Sequence, residues 1–243
     1  MKYMVCVADE LGAHNIIRRY EPSVGIKDVA VVDNVATGAS IGGVRMATDV
    51  STNECARLAR AMTLKNAAAG LPHGGGKVVL YGDPKMPKEK KERLIRALAC
   101  SLKEVEQYIF APDMGTNEEC MAWIKDEVDR VVALPREIGG IPLDEIGATG
   151  FGLSHVAKIA AKQCDLELEG AKVVIQGFGA VGKHTAKFLS LQGAVLVAAA
   201  DSKGAIHDPN GLDVDLLIKL KQEGKAVTDY AGCKKLAHNS IIY

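Results

Sequence analysis

The chain has 243 residues, 48% of them hydrophobic, and its 30 basic side chains equal its 30 acidic ones. That much apolar material supplies the core of one large domain or two modest ones and excludes a disordered chain. Balanced charge provides no long-range field for nucleic acid or an anionic membrane, which leaves small molecules and other protein chains as the expected partners.

In chain order, Met1 to Glu10 lacks the basic start and apolar centre of a signal peptide, and no apolar run reaches membrane-spanning length, so a cytoplasmic protein is expected. The apolar run Val29 to Asp33 reads as a strand. Ser51-Thr52-Asn53-Glu54 has capping-box spacing and opens a helix with a stripe of Leu58, Met62, Lys65 and Ala69. Val78 to Tyr81 is a second strand. Pro87 starts a helix that buries Leu94, Ile95, Leu98, Leu102 and Val105. Tyr108 to Phe110 is a third strand, and Thr116 with Glu119 opens a helix bearing Met121, Ile124 and Val128. Strands alternating with amphipathic helices give an α/β architecture.

The proline- and glycine-rich stretch Pro135 to Gly147 marks a boundary, with the hinge near Gly147, so residues 1–147 and 148–243 are expected to form two domains. After it come a helix from about Phe151 to Cys164, the strand Lys172 to Gln176, a glycine loop, a helix from about Val181 to Leu191 and the strand Val195 to Ala200. The six cysteines (Cys6, Cys55, Cys100, Cys120, Cys164 and Cys233) form no C-x-x-C pair, so reduced thiols are expected and neither zinc nor another metal.

Two constellations carry chemistry. In the first, the strand ending at Gln176 runs into Gly177-Phe178-Gly179-Ala180-Val181-Gly182, and Asp201 ends the next strand. This is a Rossmann-type dinucleotide site: Gly177 for the tight turn, Gly179 for close approach of the pyrophosphate to a helix N-terminus, Gly182 for helix-on-strand packing. Asp201, followed by Ser202, can accept from ribose hydroxyls and favours NAD, while Lys203 leaves NADP open.

The second constellation is Lys65, then Leu71-Pro72-His73-Gly74-Gly75-Gly76-Lys77, then Gly82-Asp83-Pro84, then Ala111-Pro112-Asp113-Met114-Gly115-Thr116. Three glycines before Lys77 are expected to let backbone pass close to a ligand or cofactor. Lys77 directly before Val78-Val79-Leu80 is expected to be partly desolvated, the setting in which a lysine serves as general base, and an aspartate at a strand-to-helix junction can exchange protons with a reacting amine. A snorkelling surface lysine is the bland alternative at Lys65 and Lys77.

With Ser40-Ile41-Gly42-Gly43-Val44-Arg45-Met46, these segments resemble the glutamate/leucine/phenylalanine/valine dehydrogenases in order over nearly the whole chain. The resemblance implies an N-terminal mixed-sheet substrate and oligomerisation domain followed by a Rossmann-type domain. It also implies NAD(P)-dependent oxidative deamination of an L-amino acid to the 2-oxo acid and ammonium, and a homo-oligomer, since such enzymes assemble as hexamers or octamers. Lys77 and Asp113 would be catalytic, Lys65 would hold the substrate α-carboxylate, Gly42 and Gly43 would line the pocket, and Thr149 would contact the nicotinamide amide. Glutamate-specific members carry a lysine where this chain has Ile41, which resembles the leucine-type enzymes. Ala148-Thr149-Gly150 and Asp201-Ser202-Lys203-Gly204 resemble the glutamate type, so glutamate and an aliphatic amino acid both stand as substrates.

The 74 residues from Gly170 to Tyr243 hold only the first half of a doubly wound nucleotide domain, which therefore reads as truncated. The second functional reading is accordingly a non-catalytic or regulatory homologue that keeps oligomerisation and weak nucleotide binding. A hydroxy-acid dehydrogenase is disfavoured, because His73, His155 and His184 have no evident arginine partner.

Overall fold

The structure is a computed structural model that describes residues 9–237, so the leader reading of the first residues and Cys6 lie outside the described part. The chain divides into two compact units, 1–142 and 143–243, the division falling within the Pro135 to Gly147 stretch.

The first unit contains β1 (Asn15–Glu21), β2 (Ile26–Val32), β3 (Ser40–Ala47), α1 (Thr52–Ala68), β4 (Gly74–Tyr81), α2 (Lys88–Ser101), β5 (Tyr108–Pro112) and α3 (Glu118–Lys125). Its five-stranded sheet has the order β1-β2-β4-β3-β5. β4, β3 and β5 run parallel, whereas β2 is antiparallel to both β1 and β4, so the sheet is mixed. Alternation along the strands sends Ala30, Val32, Val44, Met46, Val78 and Leu80 to one face, where they pack with Leu94, Ile95 and Leu98 of α2 and Met121 and Ile124 of α3. Val31 and Val79 point the other way, against Cys55, Ala56 and Ala59 of α1. Both faces of the central strands are covered, as parallel strands require.

Three local expectations change. Gly74, Gly75 and Gly76 are not a loop beside a ligand but the buried start of β4. A Cβ on Gly75 would overlap the backbone of Thr63 in α1, and one on Gly76 would stand 2.8 Å from the Tyr108 ring. Their role is to let helix and neighbouring strand close on β4. That closeness selects small residues on α1, so its buried face is Cys55, Ala56, Ala59 and Asn66 rather than the Leu58, Met62, Lys65 and Ala69 stripe. Ser51 caps α1 as expected, accepting from the N–H of Glu54. The cap of α3 is Asn117, whose side chain accepts from the N–H of Cys120, and not Thr116.

The second unit contains α4 (Ala148–Gln163), β6 (Lys172–Gln176), α5 (Ala180–Ser190), β7 (Val195–Asp201), β8 (Gly204–His207), α6 (Val214–Gln222) and β9 (Lys234–Leu236), with sheet order β6-β7-β8-β9. β6 and β7 are parallel across α5, while β8 and β9 add antiparallel. Ile175, Phe178, Leu196, Ala199, Ile206 and Leu217 form its core. α4 starts at Ala148, earlier than the sequence suggests, because Gly147 adopts φ 75° and serves as N-cap without a side chain. Among the described residues no helix is long and apolar enough to cross a membrane, and no cluster of His, Cys, Asp and Glu is placed to hold a metal ion. The five described cysteines are all free thiols.

Candidate active site

Lys77 sits within β4 and is 5% exposed. An isolated ammonium so buried would lose most of its hydration, so it needs a counter-charge. Asp113, just past the end of β5, supplies it: Nζ of Lys77 lies 2.5 Å from Oδ2 of Asp113. The same oxygen accepts from Nε of Arg45 at 3.1 Å, and Nη1 of Arg45 continues to Glu54 at 2.7 Å. Burial pushes the Asp113 carboxyl up, but the hydrogen bond and charge of Lys77, a backbone N–H and the charge of Arg45 outweigh it and hold the group below its ordinary value of 3.8. Asp113 is therefore ionised at neutral pH.

The aspartate is fixed by a residue whose part in the site the sequence did not reveal. The hydroxyl of Thr116 accepts from the N–H of Asp113 at 3.0 Å and donates to the carbonyl of Val44 on β3 at 2.8 Å. The turn closes with Gly115 at φ 84°, a conformation that favours glycine. The only sequence signal was the short spacing from Asp113 to Thr116, which reads equally well as the start of a helix.

The paired glycines of β3 serve different faces. A Cβ on Gly43 would stand 2.6 Å from Cβ of Asp113, 2.9 Å from the carbonyl oxygen of Pro112 and 3.2 Å from Nζ of Lys77, so only a glycine lets β3 approach the pair this closely. Gly42 does not face the pair. Its Cβ would collide with the carbonyl of Gly76, and its own carbonyl accepts from the Tyr108 hydroxyl at 2.7 Å. Ile41 shares the face of Gly43, with Gly75 as one register partner and Ile109 of β5 as the other. Lys65 lies near the end of α1, exposed and without an ion-pair partner among the described residues.

In the second unit, Gly177 takes φ 92° at the tight turn after β6. A Cβ on Gly179 would meet nothing within 4 Å, which leaves open space before the first turn of α5. A Cβ on Gly182 would run into the carbonyl of Gly177, the price of close helix-on-strand packing. The residues present thus fit a dinucleotide: the first N–H groups of α5 have no intrahelical acceptors, and the space at Gly179 is open. Phe178 departs from the expected contact role. Its side chain is fully buried, and its N–H donates to the carbonyl of Ala200 at 2.7 Å. Thr149 is exposed in the first turn of α4.

Asp201 also departs from expectation. Its Oδ2 accepts from Nζ of Lys221 at 2.7 Å and from the N–H of Val227 at 2.9 Å, and Oδ1 accepts from the N–H of Lys203 at 2.9 Å. Burial raises this carboxyl, but the Lys221 hydrogen bond and the two N–H donors lower it further, leaving it below its ordinary value. It is ionised yet committed to the protein. The sequence could place an acid at the end of β7, but not reveal that α6 returns a lysine to it.

Comparison with known proteins agrees with this geometry. Residues 24–130 match the family described as Glu/Leu/Phe/Val dehydrogenase, dimerisation domain, and residues 139–242 match Glutamate/Leucine/Phenylalanine/Valine dehydrogenase. A glutamate dehydrogenase of Aeropyrum pernix is 39% identical over 86% of this chain and 53% of its own length. An NAD-specific glutamate dehydrogenase of Staphylococcus aureus is 39% identical over 81% of this chain and 50% of its own. An NADP-specific one of Saccharolobus shibatae is 34% identical over 86% and 52%. Among solved structures, the hetero-hexameric glutamate dehydrogenase of Thermus thermophilus in its Leu-bound form superposes with a TM-score of 0.78 at 32% identity, covering 88% of this chain and 56% of that one. The chain spans about half the length of the curated relatives it matches. On the agreement of both units, the chain belongs to the Glu/Leu/Phe/Val dehydrogenase family.

Proposed function

We propose that this chain carries the substrate chemistry and the dinucleotide loop of an L-amino-acid dehydrogenase that converts the amino acid to the 2-oxo acid and ammonium. The observation that carries the reading is the buried Lys77–Asp113 pair, which glycine at position 43 lets β3 approach closely. A binding-only protein has no need to bury such a pair.

A bound nicotinamide dinucleotide supplies the acceptor for the hydride that leaves the α-carbon. Lys65, exposed and unpaired among the described residues, holds the α-carboxylate. Asp113, kept ionised by its cationic neighbours, takes a proton from the substrate ammonium. Lys77 then orients the water that adds to the resulting iminium and steadies the oxygen as ammonia departs. Thr149 contacts the nicotinamide amide, and the α5 N-terminus receives the pyrophosphate.

For the substrate side chain, the reading favours an aliphatic group. Ile41 and its neighbour Ile109 form the floor on the Gly43 face, and the two cations beside it, Lys77 and Arg45, already serve Asp113 and Glu54. A glutamate γ-carboxylate set there without a partner would cost several kcal/mol. The glutamate reading rests on the Ala148-Thr149-Gly150 and Asp201-Ser202-Lys203-Gly204 segments and on the names of the relatives. The family's dimerisation-domain description and the hetero-hexameric Thermus relative support an oligomer built through the first unit.

The test is nicotinamide absorbance with leucine, valine, phenylalanine and glutamate, with Lys77→Met as control. Turnover that vanishes in the variant is expected. A folded chain that turns over none of these would favour the regulatory homologue.

A further inference from the structure

We propose that Arg45, braced by Glu54, is a positioning residue of the reaction: it keeps the Asp113 carboxylate aimed and charged while Lys77 is engaged with the reacting oxygen, a role that rests on the dehydrogenase reading above. Arg45 lies on β3, Asp113 just past the end of β5, Lys77 on β4, and Glu54 in the first turn of α1. Their side chains form one line of ion pairs, Glu54–Arg45–Asp113–Lys77, in which the sign of charge alternates.

The two cations on Asp113 differ in what they can do. Nε of Arg45 donates to Oδ2 of Asp113 at 3.1 Å, and Nη1 donates to Oε1 of Glu54 at 2.7 Å. A planar guanidinium gripped through two nitrogens has a fixed direction, and it keeps its proton at any working pH. Lys77 carries a point charge on a flexible stem and has a second task, since its ammonium donates to the water and the oxygen of the reaction. While it does so its hold on Oδ2 is shared. Arg45 is then the remaining cation paired with Asp113 among the described residues. The other titratable groups close by supply no positive charge. The buried Tyr108 phenol stands well above its ordinary value, the Cys55 thiol of α1 is pushed up to about 12 by burial, and Glu54 is negative. Burial by itself raises the Asp113 carboxyl, so without Arg45 the group would be protonated at higher pH and lost as a proton acceptor.

The experiment is the pH dependence of kcat in the parent, Arg45→Gln and Arg45→Lys. Glutamine can still hydrogen-bond but has no charge, and the acid limb is expected to move up by at least about one pH unit with the alkaline limb in place. Lysine returns the charge and should restore the limb, with kcat still several-fold low because an ammonium cannot span Asp113 and Glu54 together. An unmoved limb in folded Arg45→Gln would overturn the proposal and reduce Arg45 to a tie between β3 and α1. If Arg45→Gln does not fold, Arg45→Lys decides: parent kcat would overturn the role, and a lowered kcat on the parent limb would support it. A carboxyl carbon-13 titration of the aspartate-labelled chain, with Asp113 assigned from Asp113→Asn, reads the same shift without turnover. A parent that turns over no amino acid would count against the dehydrogenase reading, and the Asp113 midpoint would still test the relay: a rise in Arg45→Gln supports it, and no rise overturns it.

Discussion

Nζ of Lys77 and Oδ2 of Asp113 meet at 2.5 Å over a position where Gly43 contributes no side chain. The lysine, the aspartate and the glycine come from β4, the end of β5 and β3, and each depends on the other two. The chemistry proposed for the chain is concentrated at this junction.

Replacing Lys77 with methionine or Asp113 with asparagine is expected to lower kcat by roughly 10² to 10⁴, the usual contribution of a positioned acid–base group. The thermal midpoint of Lys77→Met should fall only modestly, because Arg45 still pairs with Asp113. Steady-state kinetics beside a melting curve separates the two effects. Unchanged kcat in both variants would remove the pair from the mechanism.

Gly43→Ala and Gly75→Ala should fail in different ways. The first puts a methyl 2.6 Å from Cβ of Asp113 and 2.9 Å from the Pro112 carbonyl, so activity is expected to drop more than about tenfold with some loss of stability. The second drives a methyl into the backbone of Thr63, which cannot give, and should cost about 1–3 kcal/mol or more of stability. Urea unfolding of both proteins reads the contrast.

Thr116→Val keeps the shape but removes the hydroxyl shared between the N–H of Asp113 and the carbonyl of Val44. A loss of about 1–3 kcal/mol is expected from the unsatisfied backbone groups, with a fall in kcat from the loosened aspartate. Thr116→Ser should restore both.

Acid sensitivity follows from opposed shifts. Asp113 and Asp201 titrate below their ordinary 3.8 in the folded chain, so their stabilising contribution is complete above that value and disappears as pH falls through their lower folded values. Asp28 is shifted the other way: burial raises it more than Arg19 lowers it. Between its folded value and 3.8 the folded state binds the extra proton, so this group makes stability rise slightly as pH falls. Urea midpoints taken from about pH 6 to about pH 2.5 should therefore hold or rise slightly before dropping. Asp113→Asn should flatten the final drop, and an unchanged drop would place the acid sensitivity elsewhere.

Ile41→Lys is expected to move kcat/KM toward glutamate and away from leucine by at least about tenfold, by pairing a side-chain carboxylate on the Ile41–Ile109 floor. If the parent already prefers glutamate, the aliphatic reading fails.

Much of this protein is legible in its amino-acid order alone, for reasons that are local. The βαβ order, the Ser51 cap and the separate needs of Gly177 and Gly182 follow from propensity, hydrogen-bond geometry and steric exclusion within a few residues. Tertiary structure decided what depends on which segment arrives opposite. Gly74 to Gly76 look like a loop until α1 is seen to close on them, and that approach chose Cys55 and Ala59 for burial over Leu58. Gly42 and Gly43 are chemically identical neighbours, and only the pleat of β3 puts one against Gly76 and the other over Lys77. Asp201 is an acid at the right place in the chain, but its charge is claimed by Lys221 from α6, a partner that chain spacing does not encode. Burial and pairing are properties of contacts between distant segments, and those exist only once the chain has folded.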